Sequence, residues 1–176
     1  MLLHICCGIC AAGVVERLRE DKLEPVGFFY NPNIHPREEY LKRQATAKEM
    51  ARILKFDLIS GRYDKDNWMS AISGLENEPE GGGRCSVCFR IRLRQAALKA
   101  KELGLEHFTT TLTVSSHKST DIINKIGGEI DSTLFLIRDF KKDDGFRLAM
   151  AFSKRYNLYQ QDYCGCIYSG NSKNIK

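Results

Sequence analysis

The chain has 176 residues, 43% of them hydrophobic and 28% charged, which excludes a disordered protein and fits one globular domain. A formal net charge of +5 permits a polyanionic partner such as nucleic acid, but an ordinary slightly basic protein would carry the same charge. No apolar run reaches the roughly 20 residues of a membrane-spanning helix. The N-terminus has neither the basic segment nor the cleavage site of a signal peptide, so we expect a cytoplasmic protein.

The first half of the chain alternates between short apolar runs and longer amphipathic stretches. The apolar runs predict β-strands at residues 2–6, 25–30 and 56–59. The stretches between and after them carry apolar residues at helical spacing, which predicts helices at residues 10–20, 35–54 and 66–74.

The second half continues this alternation after a polar loop rich in glycine, at residues 76–83. Helices are predicted at 85–103, 119–127 and Gly145–Arg155, and strands at 106–113 and 134–137. Strands that alternate with helices of this length are typical of an α/β fold. We therefore expect a single domain over residues 1–176, with a parallel, helix-covered sheet of HUP or Rossmann-like layout.

Residues with chemical potential follow several of the predicted strands. Cys6 and Cys7 lie at the carboxyl end of the first strand, Asn31 and Pro32 follow the second, and a run of threonines at 109–111 ends a later one. Sites in open parallel sheets form outside the carboxyl ends of the strands. The sequence therefore predicts a cysteine-rich site at that edge of the sheet.

Seven cysteines fall into three tight groups rather than being scattered. Buried single cysteines are common as small hydrophobic residues, and a full disulfide framework is not expected for an odd number in a cytoplasmic chain. Three closely spaced groups instead indicate that thiols converge in the fold. The groups are Cys6, Cys7 and Cys10, then Cys85 and Cys88, then Cys164 and Cys166.

The first two groups have the spacing of metal ligands. The C-C-x-x-C group lies at a strand-to-helix turn, where a helix N-terminus favours the thiolate form, and Gly8 allows a sharp turn there. The C-x-x-C group places two sulfurs on one helical turn. Together they supply enough thiolates for tetrahedral zinc or for a 4Fe–4S cluster, and spacing does not distinguish between these.

The remaining candidates leave alternatives open. The C-x-C group fits either a redox-active dithiol or a further pair of metal ligands. His35 fits a general acid, a ligand or a helix cap, and Asp139 fits a proton donor, a residue holding metal-bound water or part of a solvated charge run. Basic residues that could form a phosphate-contacting rim are Arg37, Lys42, Arg43, Arg90, Arg92, Arg94, Lys118, Lys141 and Lys142.

Taken in order, these segments resemble the cobalamin-independent epoxyqueuosine reductase (QueH) family over nearly the whole chain. Two departures are Ile9 and Ser116, where such proteins usually carry proline, and neither changes the chemistry. The segments that carry the resemblance are LLHICCGIC at 2–10, FYNPNIHPREEYLKR at 29–43, GGRCSVCFRIRL at 82–93, FTTTLTVSSHK at 108–118, DFKK at 139–142 and YQQDYCGCIYS at 159–169.

The resemblance implies an oxidoreductase that reduces epoxyqueuosine at the wobble position of tRNA to queuosine, with an external electron donor and without cobalamin. It implies a 4Fe–4S cluster held by Cys6, Cys7, Cys85 and Cys88. It also implies that Cys164 and Cys166 form a redox-active pair. Cys10 then becomes the thiol closest to the cluster, a candidate to replace a ligand or to hold an additional iron. Asp139 or a cysteine thiol would donate a proton to the departing oxygen, and the anticodon loop of tRNA would present the base.

Two other functions compete with this interpretation. An iron–sulfur tRNA-thiolation enzyme of similar layout would need a glycine-rich phosphate loop after the first strand, where this chain has CCGIC. A zinc-stapled nucleic-acid-binding module would use the same cysteines but would be colourless and without a redox response.

Overall fold

A computed structural model of the protein describes residues 1–142 and 145–169. Its centre is a four-stranded sheet in which every neighbouring pair is parallel. In chain order the strands are β1 (Leu2–His4), β2 (Val26–Phe29), β3 (Leu58–Ser60) and β4 (Phe108–Thr110), and their order in the sheet is β3-β2-β1-β4. The predicted α/β fold with a parallel, helix-covered sheet is confirmed.

Helices connect and flank the strands. One long helix packs against β1 and β4, and the first helix packs against the second and the last. They are α1 (Ala11–Glu20), α2 (Arg37–Leu54), α3 (Lys65–Ala71), α4 (Gly83–Glu102), α5 (Thr120–Ile130) and α6 (Gly145–Arg155), with a 3₁₀ helix at Thr111–Val114. None of the helices in the described part of the chain is long and apolar enough to cross a membrane.

Two predicted strands differ from the structure because hydrogen bonds from side chains turn the backbone: one is shorter than predicted, and the other is reduced to a single bridge. The run at 106–113 leaves the sheet after Thr110, whose hydroxyl accepts a hydrogen bond from the Leu112 amide and starts the 3₁₀ helix. The predicted strand at 134–137 contributes only a single bridge, between Phe135 and Phe108. The Asp131 carboxylate accepts hydrogen bonds from the Thr133 and Leu134 amides, which makes residues 131–134 a tight turn.

The core lies between the sheet and its helices. Both faces of β1 are covered, as its continuous apolar sequence predicts for a central parallel strand. Fully buried side chains from five elements meet there, namely Leu2, Leu3, Val15, Leu18, Leu93, Phe108 and Ile123. The arrangement fixes the carboxyl end of β1, and with it the first cysteine group, at the centre of one sheet edge.

Gly8 is required because the β1–α1 loop lies directly on the backbone of α2. A Cβ atom at this position would come within 2.6 Å of the Thr46 carbonyl carbon and oxygen and 2.7 Å of the Ala47 nitrogen. A helix backbone cannot move away as a flexible side chain could. The glycine therefore allows the cysteine loop to pack against α2.

We expect Gly8→Ala to lower the free energy of unfolding by about 1–3 kcal/mol, the usual cost of overpacking. Gly128→Ala on α5 is the matched control, because a Cβ there meets nothing within 4 Å, and alanine should stabilise that helix slightly. Urea denaturation of both variants measures the difference. Equal effects of the two substitutions would contradict the packing argument.

Candidate metal and redox site

The first cysteine group forms a compact, buried cluster in the loop between β1 and α1. The sulfurs of Cys6, Cys7 and Cys10 all lie within 4.8 Å of one another. Cys7 and Cys10 are joined as a disulfide, and the Cys6 sulfur lies 4.0 Å from that of Cys7. None of the three is more than 9% exposed. A set of soft sulfur donors this close is consistent with a metal or iron–sulfur site.

Thr111 holds Cys6 in place from the end of β4. Its hydroxyl oxygen accepts a hydrogen bond from the Cys6 amide at 2.9 Å, and the hydroxyl donates to the Cys6 sulfur at 3.2 Å. The two hydrogen bonds fix the position of the Cys6 sulfur among the donors of this group. The 3₁₀ turn after Thr110 places this hydroxyl, so the early end of the strand contributes to the site.

The second group lies on the first turns of α4. The Gly81 amide donates a hydrogen bond to the Cys85 sulfur at 3.2 Å. Cys88 is buried beside Trp68, and Arg92, one turn later on the same helix, is near enough for its positive charge to act on this thiol. Burial raises the pKa of both thiols. The compact group around Cys6 does not include either of them.

The third group lies against the second. Cys166 packs with Cys88 and Trp68, and burial raises its pKa to about 12. Cys164 lies close enough to Cys85 and Cys88 for the thiolate charges to interact. It also lines the same cavity as the first cysteine group. Cys164 therefore connects the N-terminal cluster with the thiols on α4.

A buried ion pair on α2 holds the segment that carries the third group. The Arg43 Nε donates to the Glu39 carboxylate at 2.6 Å, and both side chains are less than a tenth exposed. The two Arg43 Nη atoms donate to the backbone oxygens of Cys164 and Tyr163, at 3.0 and 3.1 Å. The Tyr159 hydroxyl donates to the same carboxylate at 2.7 Å.

Gly165 completes this attachment. Its φ of +98° is a conformation that L side chains rarely adopt, and a Cβ there would come within 3.0 Å of both Arg43 and Ile34. The His35 amide donates to the Gly165 carbonyl at 2.8 Å. The backbone of the C-x-C segment is thus held by the Arg43 side chain of α2 and by the His35 amide just before α2.

The cysteines face a cavity of about 420 Å³. Cys6, Cys7, Cys10 and Cys164 contribute to its lining, and so do two buried polar side chains, Asn33 and Arg92. The Asn33 Oδ1 and Arg92 Nε atoms have no hydrogen-bond partner within the described residues. The residues that line the cavity therefore combine sulfur donors with two buried polar side chains that keep unused hydrogen-bonding capacity.

Cys85, Cys88 and Cys166 do not line this cavity, and neither do two other predicted site residues, Asp139 and His35. Asp139 accepts hydrogen bonds from the Thr120 hydroxyl at 3.4 Å and from the Lys141 amide at 3.1 Å. It therefore stabilises the turn at 139–141 and attaches this turn to the first residue of α5. His35 packs on Trp68, and burial lowers its pKa to about 4, which leaves it neutral at pH 7. The catalytic role of Asp139 stays a prediction.

Cys10 also differs from what the sequence suggested. The family resemblance predicts a free thiol at this position beside the cluster, whereas in the structure Cys10 forms a disulfide with Cys7. It does line the cavity, at the N-terminus of α1. Its role beside a metal centre stays a prediction that requires reduction of this disulfide.

The predicted rim of surface basic residues is wrong at two positions. Arg43 and Arg92 are 3% and 2% exposed, because both turn inward to bond polar groups of the site. Arg90 does lie on the surface, paired with Glu129. Sequence reasoning missed further cavity-lining residues, namely His117, Gln160, Gln161 and Asp162. Their place in the sequence could have indicated this role, because Gln160, Gln161 and Asp162 lie within four residues before Cys164.

Comparison with known proteins identifies the family of this chain. The family described as epoxyqueuosine reductase QueH matches residues 1–172. The chain belongs to the epoxyqueuosine reductase QueH family. It is 36% identical to the QueH of Streptococcus pyogenes serotype M1 over 99% of this chain and 72% of that protein. With the QueH of Acinetobacter baylyi the identity is 40%, over 96% of this chain and 79% of the relative.

A distant relative extends the match, since the QueH of Thermotoga maritima is 31% identical over 96% of this chain and 89% of that protein. Among solved structures, a predicted subunit of tRNA methyltransferase from Methanocaldococcus jannaschii shares the fold. It has a TM-score of 0.57 and 15% identity, over 85% of this chain and 74% of that one. The predicted family and oxidoreductase activity are confirmed, and the QueH chain functions in tRNA queuosine biosynthesis.

We expect Arg43→Ala to destabilise the protein by about 3–5 kcal/mol, because it leaves the Glu39 carboxylate buried without its ionic partner. The same substitution should expose Cys164 to thiol reagents. Arg52→Ala, which removes an exposed pair on the same helix, should change the free energy of unfolding far less, because water screens that pair. Urea denaturation and labelling rates under reducing, metal-free conditions test this. Labelling that is equally slow in both variants would contradict the role of Arg43.

Proposed function

We propose that this chain reduces the epoxide of epoxyqueuosine in tRNA to the cyclopentene of queuosine, the last step of queuosine biosynthesis, at a 4Fe–4S cluster. The observation that carries the proposal is the compact buried group of Cys6, Cys7 and Cys10 at a cavity that Cys164 also lines. Four cysteine thiolates are the usual ligands of such a cluster. The proposed ligands are Cys6, Cys7, Cys85 and Cys88, within one catalytic domain at residues 1–176.

The side chains of the site fit a negatively charged metal–sulfur group. Thr111 donates a hydrogen bond to the Cys6 sulfur, and Arg92 places a cation near Cys88. Binding through Cys7 first requires reduction of its disulfide with Cys10. Cys10 is then free beside the ligands, where it can replace one of them or hold an additional iron.

The reaction breaks both C–O bonds of the epoxide, forms a C=C bond and releases the oxygen as water, so it consumes two electrons and two protons. When bound, the cluster supplies single electrons and a Lewis-acidic iron. Oxidation of the Cys164 and Cys166 thiols to a disulfide releases two electrons and two protons, which matches this requirement. An external electron donor then regenerates the dithiol.

The described residues supply proton transfer and binding. Of the two proposed proton donors, Cys10 lines the cavity. Asp139 does not line it and is hydrogen-bonded within the turn at 139–141. A cavity of about 420 Å³ accommodates a single modified base rather than a stacked anticodon loop. The wobble base therefore leaves the stack to react, as in other enzymes that modify bases. A tRNA substrate places the enzyme in the cytoplasm.

We expect the protein, reconstituted anaerobically with iron and sulfide, to be brown and to bind about four irons and four sulfides per chain. Cys6→Ser and Cys88→Ser should lose most of this iron, whereas Cys166→Ser should retain it if Cys166 belongs to the redox pair. Visible spectra and iron and sulfide assays measure the outcome. A colourless protein that takes up zinc and no iron would favour a structural metal site instead.

For the reaction, we expect the reduced, reconstituted protein to remove one oxygen atom from epoxyqueuosine in tRNA, as detected by nucleoside mass spectrometry. Cys164→Ser and Cys166→Ser should lower the number of turnovers with a protein electron donor, because the dithiol no longer relays electrons. Protein loaded with zinc in place of iron is the matched control and should be inactive. Absence of oxygen loss with fully loaded enzyme and strong reductant would refute the proposal.

A further inference from the structure

Arg92 is a buried cation whose charge is not matched by a carboxylate. Its side chain is on α4 and the residue is 2% exposed. One Nη atom donates to the Asn31 side-chain oxygen at 2.5 Å, and the Nε atom has no hydrogen-bond partner in the part of the chain that the structure describes. Arg92 forms no ion pair with any carboxylate of residues 1–142 and 145–169. Burying an uncompensated charge is strongly unfavourable, so an anion is expected beside it.

The neighbours of Arg92 indicate where that anion lies. Arg92 lines the cavity together with Cys6, Cys7 and Cys10, and it lies one helical turn after Cys88, near enough for its positive charge to act on that thiol. The other neighbouring side chain is neutral, because His4 is fully buried between Thr110 and the Tyr30 carbonyl. The carboxylates of Glu80 and Asp162 also line the cavity, but within the described residues neither forms an ion pair with Arg92. Reduction of the Cys7–Cys10 disulfide and metal binding convert the sulfurs into thiolates, which then supply negative charge at the cavity that Arg92 lines.

The contrast with Arg43 supports this assignment. Arg43 is equally buried and borders the same cavity, but the Glu39 carboxylate neutralises it. Asn31, by comparison, fixes the orientation of Arg92 without adding charge: its amide donates to the Ile5 carbonyl and its oxygen accepts from the guanidinium. Arg92 therefore places a buried positive charge without a carboxylate partner at the cavity that the cysteines line. Arg84, a second buried arginine of α4, does not line this cavity and donates instead to three backbone carbonyls of the preceding loop.

We propose that Arg92 is the countercharge of the cysteine centre: it compensates the negative charge of the thiolates and of the metal group that they bind, which strengthens metal binding and raises the reduction potential. This rests on the proposed function, because the cluster is the group whose charge is compensated. A nearby fixed charge is one of the factors that set cluster potentials. Arg92 is a positioning and electrostatic residue, since it acts through the metal group.

Two variants remove the charge by different routes. Arg92→Gln deletes the cation but keeps a hydrogen-bond donor, and Asn31→Asp places a carboxylate against the intact guanidinium. Arg92→Lys keeps the charge without the planar fork. Arg90→Gln is the matched control, because Arg90 lies on the same helix but is half exposed and paired with Glu129. Circular dichroism verifies that each variant is folded.

We expect Arg92→Gln and Asn31→Asp to shift the midpoint potential of the reconstituted centre to more negative values, measured by redox titration with visible and EPR detection. Metal affinity should fall about 10- to 100-fold, as for other residues that support metal ligands. Arg92→Lys should restore most of both properties, and Arg90→Gln should change neither. If only one of the two charge-removing variants folds, that variant decides the outcome.

The result separates this proposal from the assignment of the cluster. Iron uptake by the wild type with an unchanged potential in the charge-removing variants would overturn the role of Arg92 and leave the cluster intact. If the wild type binds no iron, the cluster assignment fails, and zinc serves as the probe under reducing conditions. Zinc affinity by chelator competition that is equal in Arg92→Gln and Arg90→Gln would then overturn the countercharge role.

Discussion

Parallel pairing of four strands makes all of them end at one edge of the sheet, and the site depends on this constraint. β1 lies between β2 and β4, so the loops after three neighbouring strands meet around its carboxyl end. The loop after β1 supplies the first cysteines, the loop after β2 supplies Asn31 and Asn33, and the turn after β4 supplies Thr111. No long-range motion is needed to assemble these groups, because the hydrogen-bond register of the sheet fixes their separation.

Two buried arginines attach the remaining parts to this edge in different ways. Arg43 is matched by Glu39, and this pair binds the backbone of the C-x-C segment, so its effect is to hold a structure in place. Arg92 is bonded to an uncharged amide and keeps its net charge. The first arrangement is stable without a ligand, whereas the second is unfavourable until an anion is present. One arginine, Arg43, therefore holds the C-x-C segment in position, and the other, Arg92, supplies positive charge to the site.

Most of the fold could be predicted from the sequence, and the errors have specific causes. The strands and helices near β1 and β2 follow from apolar periodicity, which is a strong signal in buried parallel strands. The strand predicted at 134–137 failed because the Asp131 side chain and the Phe135 ring serve the turn and the core rather than a ladder. The surface role predicted for Arg92 failed because a helical arginine has the same sequence signal whether it faces solvent or a cavity.

The sequence by itself determined the alternation of strands and helices, the three cysteine groups and membership of the QueH family, because periodicity and residue spacing are local properties. Only the tertiary structure decided which thiols are neighbours: Cys10 with Cys6 and Cys7, and Cys164 between that group and α4. It also decided that Arg43 is neutralised and Arg92 is not. Distances between side chains far apart in the chain, and the loss of water around a buried charge, arise only when the elements pack together.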